Sequence, residues 1–147
     1  MAHMSGKTSG DTTGRFDIAE IAAAFPASAD TLLLDRYLTD TPNASARVFR
    51  VYKPTPPHYH VNSDEYLFVF SGTGTFWMES EANKAEFGPG QLLFFRRGIV
   101  HALPDMLTGP IVFLSVDAPR RDPKDIVFVI PEDGTPESFI RETGDGY

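Results

Sequence analysis

Apolar and polar residues alternate along most of this chain with the period of β-strands. The exception is FDIAEIAAAF at residues 16–25, where Ile18 and Ile21 share one face of a helix. Asp17 can cap the first turn of this helix, and Pro26 lies just beyond its end. The pattern therefore predicts one short N-terminal helix followed by strands.

About seven segments with strand-like patterns follow that helix, at residues 31–38, 45–53, 65–72, 74–80, 91–97, 111–117 and 125–130. Turn-forming segments rich in Pro, Gly, Asn and Asp separate them. Gly72 and Gly74 predict a hairpin between the third and fourth of these strands. Because no long helices alternate with the strands, we expect an antiparallel sandwich or barrel.

The length of 147 residues fits one domain with a sizeable core. We expect a vector remnant (MAHM) and a flexible N-terminus at residues 1–15. One barrel domain with the short helix then covers residues 16–130. An acidic tail at residues 131–147 either crosses the outside of the domain or is disordered.

The net charge of −7 argues against binding to nucleic acid or to an anionic membrane surface, which require a basic face. No apolar run approaches the roughly 18 residues of a membrane-spanning helix. The chain has no cysteine, which excludes disulfides and thiolate chemistry. Because the N-terminal segment also lacks the apolar core of a signal peptide, we expect a cytoplasmic protein.

Candidate chemistry is concentrated at residues 57–75, PPHYHVNSDEYLFVFSGTG. On a strand, His58 and His60 project from the same face. After a turn, Glu65 opens the second strand of a predicted hairpin, where its carboxylate can face the two imidazoles, and His101 ends a later strand. Each residue alone is more often an ordinary polar side chain, but imidazoles and a carboxylate together are the ligands of divalent transition metals.

The positions of these residues match two motifs, by which the chain resembles the cupin superfamily between about residues 45 and 117. The first motif, Gly-x5-His-x-His-x3–4-Glu-x6-Gly, is matched by His58, His60, Glu65 and Gly72. The second motif, Gly-x5-Pro-x-Gly-x2-His-x3-Asn, is matched by Gly90, Gly98 and His101. Three positions depart from the motifs: Tyr52 replaces a glycine, Arg96 a proline and Asp105 an asparagine.

The resemblance implies an all-β fold, an antiparallel double-stranded β-helix also called a jelly roll or cupin barrel. It implies one divalent transition metal bound by His58, His60, Glu65 and His101, with Fe(II) as the first choice and Mn, Ni, Zn or Cu as alternatives. Similar cupins act on small molecules and commonly form homodimers through an edge strand. Residues 125–130 are a candidate for this strand, and they could equally close the barrel.

The three departures are also candidate catalytic residues. Tyr52 faces the inside of the barrel if the strand alternation continues through the prolines before His58. Arg96 is placed to bind a substrate carboxylate, although the pattern does not decide whether Arg50, Arg96 or Arg97 faces the pocket. Asp105 is placed to accept a proton or orient a water near the metal, although an aspartate in a loop after a proline is more often a turn former.

The leading functional hypothesis is a metal-dependent enzyme that adds dioxygen to a small organic molecule. Redox-neutral isomerase, lyase or cyclase chemistry at the same metal is the first alternative. A non-catalytic cupin that binds or senses a small molecule is the second.

Overall fold

Nine antiparallel strands and two short α-helices make up the part of the chain that the structure describes, residues 10–142 of a computed structural model. The helices are α1 (Ile18–Ala24) and α2 (Pro136–Glu142). The strands are β1 (Leu33–Thr41), β2 (Ala44–Val51), β3 (Thr55–Tyr59), β4 (Asp64–Met78), β5 (Ala85–Phe87), β6 (Leu92–Phe95), β7 (His101–Leu103), β8 (Met106–Ala118) and β9 (Val127–Phe128). The predicted vector remnant lies outside the described residues.

The strands follow the order β1-β2-β8-β4-β7-β3-β9, and β5 and β6 pair with β4 beside this path. Every recorded pairing is antiparallel. The sheet curls into an open barrel in which β4 pairs with β6 and β8 at its start and with β7 at its end. The predicted all-β double-stranded β-helix with a short N-terminal helix is confirmed.

The N-terminal helix forms as predicted, two residues later and one residue shorter at its end than the predicted segment. The side chain of Asp17 accepts a hydrogen bond from the backbone N–H of Glu20, which caps the first turn. Ile18 and Ile21 pack against a buried cluster that includes Val48 of β2. The helix therefore covers one outer face of the sheet.

The predicted hairpin at Gly72 and Gly74 is wrong, because both glycines lie inside the continuous strand β4. A Cβ atom on Gly72 would lie 2.6 Å from the carbonyl oxygen of Pro110, and one on Gly74 would lie 2.5 Å from that of Asp105. Gly72 also has a φ of 84°, which favours glycine. These glycines permit a close approach of β8 and allow β4 to bend through irregular pairing.

The expected hairpin between the histidine strand and the strand of Glu65 does not form either. β3 pairs with β7 and β9, so the segment between β3 and β4 crosses the barrel instead of joining neighbouring strands. His101 begins β7 rather than ending a strand. The residues 125–130 contribute only the two-residue strand β9, which pairs with β3 at the end of the sheet.

Apolar side chains from both halves of the sheet fill the interior of the barrel. The buried members of this core are Leu33, Phe49, Val51, Leu67, Val69, Phe87, Leu93, Phe95, Leu103, Ile111 and Phe113. In the predicted acidic tail, Phe139 of α2 is buried with Leu32 and Ile126, so this part of the tail packs against the domain. The remaining residues of the predicted tail, 143–147, lie outside the described part.

Candidate metal centre

Four polar side chains meet inside the barrel, although three separate strands supply them. His58 lies on β3 and His60 follows its last residue, while Glu65 lies near the start of β4 and His101 begins β7. Direct pairing of His58 with His101 brings β3 and β7 together at this point. The possible ligand atoms of the four residues all lie within 4.8 Å of one another, and all four residues are buried.

Each imidazole is oriented by a hydrogen bond to a backbone carbonyl. The Nδ1 atoms of His58, His60 and His101 lie 2.7, 2.6 and 3.0 Å from the carbonyl oxygens of Pro56, Asp125 and Ile99. Since a carbonyl can only accept, Nδ1 carries the proton in each neutral ring, and the lone pair is on Nε2. The three Nε2 lone pairs are therefore available to one cation.

The carboxylate of Glu65 completes this cluster. Its Oε1 atom lies 3.1 Å from Nε2 of His101 and 3.4 Å from Nε2 of His60. In the neutral tautomers assigned above, Nε2 and the carboxylate oxygen are both hydrogen-bond acceptors. These contacts therefore bring acceptors together in a buried site. A shared cation or a bound proton relieves the repulsion, so the donor set itself favours a positive charge between these atoms.

The pKa directions agree with a site built for neutral imidazole and ionised carboxylate. Burial, together with the neighbouring His101 and His60, lowers the pKa of His58 well below its usual 6.5. Burial raises the pKa of Glu65, but donation from Nε2 of His101 and His60, which requires a proton in the place of a metal cation, outweighs it and holds that pKa well below its usual range. These are the protonation states that metal binding requires.

The four side chains fit a divalent metal. Three imidazole nitrogens and one carboxylate oxygen suit borderline transition metals, and the carbonyl partners of the Nδ1 atoms fix the ring orientations as they do in metalloproteins. The ring of His101 also stacks on Phe95 at a centroid distance of 4.0 Å and an interplanar angle of 8°. The geometry is consistent with a divalent-metal site.

Asp125 supports this site from a distant part of the chain. Its carbonyl accepts the hydrogen bond from His60, while its carboxylate accepts from the backbone N–H groups of Val61 and Asn62 at 2.7 and 2.9 Å. The residue therefore fixes both the imidazole and the segment after it. Sequence reasoning missed Asp125, since an aspartate before a short apolar run carries no signal of this role.

The four residues line a cavity of about 30 Å³ whose other walls are mostly apolar. The remaining lining residues are Leu33, Arg47, Phe49, Thr55, Leu67, Leu103, Arg121 and Phe139. Phe139 also lines a wider groove of about 450 Å³. The side chain of Phe139 therefore lies between the small cavity and the surface groove.

Two buried arginines in this wall were also missed by sequence reasoning. Nη1 of Arg47 lies 2.9 Å from Oδ2 of Asp35, and its Nε lies 4.0 Å from Oδ2 of Asp117. Nε of Arg121 lies 3.5 Å from the same oxygen of Asp117. Burial is the largest influence on Tyr37 beside them and raises the pKa of its hydroxyl, so this group stays neutral.

The structure does not bring Tyr52, Arg96 or Asp105 to the cavity. The hydroxyl of Tyr52 donates to the carbonyl of Pro26 at 2.6 Å. Arg96 is exposed, because the adjacent Phe95 takes the inward position on β6. The catalytic roles of these residues stay predictions, and the contacts of Tyr52 account for it without such a role.

Asp105 and the other two arginines considered from the sequence also have partners elsewhere. The carboxylate of Asp105 contacts Lys84 and Thr75, each at 2.6 Å. Arg97 pairs with Asp64. Arg50 donates to the carbonyl of Ala27. None of these residues lines the cavity among the residues that the structure describes.

Comparisons with known proteins agree with this fold. A family model described as a cupin domain matches residues 48–117. KdgF from Halomonas sp. is 22% identical, with 62% of this chain and 82% of that chain covered at a TM-score of 0.56. A conserved Klebsiella pneumoniae protein with a double-stranded β-helix domain is 16% identical, with 78% and 89% covered at a TM-score of 0.62.

Streptomyces Pac13, described as a nucleoside dehydratase, is 15% identical, with 80% of this chain and 92% of that chain covered at a TM-score of 0.55. At these identities the structural likeness establishes the fold alone. None of the curated proteins compared matches the sequence.

A curled antiparallel sheet with a buried cluster of three histidines and one glutamate defines the class as a small β-barrel with a candidate metal site. Residues 48–117 of the chain are a cupin domain. No helix in residues 10–142 has the length and apolar character needed to cross a membrane.

Replacement of His60 tests the candidate ligands. We expect the purified wild type to hold about one divalent metal per chain and His60→Ala to hold much less, because one of the converging nitrogens is lost. Elemental analysis measures the metal, and circular dichroism checks the fold. Asn62→Ala, at an exposed neighbour, is the control. Unchanged metal content in His60→Ala would show that His60 is not a ligand.

Replacement of Asp125 tests the orientation of His60. Asp125→Ala removes the carboxylate that fixes the backbone beside His60, so we expect metal affinity to fall about 10- to 100-fold. Competition with a chelating dye measures the affinity, and exposed Asp133→Ala serves as the control. Equal affinity in Asp125→Ala and the wild type would contradict a positioning role.

The lowered pKa of His58 predicts an acid-sensitive apoprotein. Below the usual pKa of 6.5, His58 takes up a proton in the unfolded chain but stays neutral in the folded protein. The free energy of unfolding therefore falls as the pH falls. The slope reaches at most about 1.4 kcal/mol per pH unit for one group.

Denaturant titrations of chelator-treated protein between pH 7.5 and 5 measure this effect. The contribution from the lowered pKa of Glu65 is complete above its unfolded value of 4.5 and is lost only at lower pH, so this window excludes the Glu65 contribution. We expect a smaller slope in His58→Gln. Identical slopes in the two proteins would refute the assignment.

Proposed function

We propose that this cupin is a metal-dependent enzyme that acts on a small organic molecule by dioxygenase-type chemistry. The proposed ligands are His58, His60, Glu65 and His101, and the proposed metal is Fe(II). The observation that carries the proposal is the convergence of three Nε2 lone pairs and one carboxylate oxygen in a buried cavity.

The ligand set resembles the two-histidine, one-carboxylate site of non-haem iron oxygenases, with one additional imidazole. A bound Fe(II) would supply Lewis acidity and redox chemistry, with about two of six coordination positions left for substrate and dioxygen. The chain itself supplies fixed imidazole orientations and walls that exclude water. Both favour a reaction that bulk solvent would quench.

The composition of the cavity wall supports oxygen chemistry over proton transfer. Apart from the four proposed ligands, the described lining residues include one hydroxyl, that of Thr55, and two arginines. Arginine stays protonated at physiological pH and is a poor general base. A reaction that depends on a protein acid and base therefore lacks its groups here, whereas dioxygenation draws its reactivity from metal and oxygen.

Redox-neutral chemistry at the same metal is the second candidate. The observation in its favour is that Pac13, described as a nucleoside dehydratase, has the same fold. Under this alternative the metal polarises the substrate, and one of the metal-site groups moves the proton. The two candidates differ in their need for oxygen.

Homodimer formation is proposed through the outer face of β4 and β6. Phe68 is 38% exposed and Leu92 59%, and they are paired in register beside the half-exposed Phe94. Such a row of apolar side chains is typical of an interaction surface. Location in the cytoplasm stays a prediction.

Oxygen consumption tests the leading proposal. We expect the Fe(II)-loaded protein to consume oxygen with at least one member of a panel of catechols, diketones and thiols, and Glu65→Ala to lose this activity. An oxygen electrode and mass spectrometry of the product with labelled dioxygen measure it. Turnover by the Zn or Mn form under strict anaerobiosis would support the redox-neutral candidate instead. Stoichiometric binding without any product would contradict both and indicate a binding module.

A further inference from the structure

Arg121 is a buried cation in the wall of the metal cavity, and two of its three guanidinium nitrogens have no hydrogen-bond partner among the described residues. Its side chain is 2% exposed, and its Nε and Nη1 atoms have no hydrogen-bond partner within the described part of the chain. The nearest acid, Asp117, lies 3.5 Å from Nε without forming a hydrogen bond, and its own Oδ1 is also unpartnered. Buried guanidinium groups are costly unless their donors are used, so these donors point to a ligand.

The second arginine in the wall is already engaged. Nη1 of Arg47 donates to Asp35 at 2.9 Å, and its guanidinium lies over the ring of Phe49 at 5.0 Å. Arg47 keeps one unpartnered donor, Nε, whereas Arg121 keeps two, Nε and Nη1. Arg121 is therefore the member of the pair with more donors available to a molecule in the cavity.

The charged side chains around the cavity indicate the sign of the charge on a bound molecule. Arg47 and Arg121 contribute two positive charges, and Asp35, Asp117 and Glu65 contribute three negative ones. A divalent metal changes the formal charge of this connected cluster from −1 to +1. A single negative charge from a ligand then neutralises the buried cluster, which lowers the cost of burying it.

We propose that Arg121 binds the carboxylate of the substrate, which makes the substrate a small organic acid with one carboxylate near the metal. This inference deepens the proposed function and rests on it. The unpartnered Nη1 of Arg121 can donate a charge-assisted hydrogen bond to a carboxylate oxygen, which is stronger than a hydrogen bond between neutral groups. Arg96, which the sequence suggested for this role, lies outside the cavity.

The size of the cavity agrees with a carboxylate group. A volume of about 30 Å³ holds two or three water-sized groups, since one water needs about 10–15 Å³ on this scale. The apolar walls include Leu33, Leu103 and Phe139. With the carboxylate at Arg121, the apolar part of the acid contacts these residues and extends toward the groove beyond Phe139.

Titration of the metal-loaded full chain with acetate and with acetamide tests the inference. The two probes have nearly the same shape and differ in charge. We expect calorimetry to show that acetate binds at least about tenfold more tightly than acetamide, because a charge-assisted hydrogen bond is stronger than a neutral one. Equal binding of the two probes, or no binding of acetate, would overturn the inference.

Arg121→Met removes the guanidinium and fills a similar volume. We expect it to weaken acetate binding about tenfold or more while the metal content is unchanged. The matched control is Arg120→Met, because Arg120 is the neighbouring residue and pairs with Asp40 at the surface. Acetate affinity equal to wild type in Arg121→Met would overturn the inference.

A second variant keeps the test decisive if Arg121→Met does not fold. If Arg121→Met leaves Asp117 buried and unpaired and does not fold, the double variant Asp117→Asn with Arg121→Met removes both charges together. The same loss of acetate binding is expected, and retained binding would overturn the inference.

The readouts separate the two proposals. Metal binding without acetate binding refutes the inference alone, and acetate binding without oxygen consumption refutes the dioxygenase proposal alone. A chain that binds no metal refutes the proposed function together with the inference that rests on it.

Discussion

Three hydrogen bonds from imidazole Nδ1 atoms to backbone carbonyls are the interactions on which the site depends. They assign the tautomer of each histidine and direct three Nε2 lone pairs toward the carboxylate of Glu65. The carbonyls belong to Pro56, Ile99 and Asp125, on segments that the barrel brings together. A change in strand register that rotated one of these segments would misdirect a lone pair even with every histidine in place.

The inward orientation of two of the histidines follows from local sequence. His58 and His60 are two residues apart on extended backbone, so strand alternation alone places both side chains inside. The hairpin prediction at Gly72 and Gly74 failed because a glycine that permits a turn and one that permits a close approach look alike in sequence. The deciding contacts lie with Pro110 and Asp105, more than thirty residues later.

Residues that act through tertiary contacts were the hardest to predict. Arg47, Asp117 and Arg121 look like surface charges in a sequence, since charged residues are rarely buried unless they are paired. The burial of Arg47 and Asp117 follows from the antiparallel pairing of β2 with β8, which sets these two residues near each other. Phe139 likewise lies in a segment read as an acidic tail, because one buried aromatic does not change the average composition of such a segment.

The cavity combines apolar walls with a cluster of charged side chains. Low polarity strengthens every electrostatic interaction inside, so the ionised Glu65 and the guanidinium of Arg121 act more strongly on a ligand there than they would at the surface. The same low polarity makes unpaired charges expensive, which is why a metal and an anion are favoured together rather than singly. Selectivity for the ligand then follows from this charge balance at one end and from the contact with Phe139 at the other.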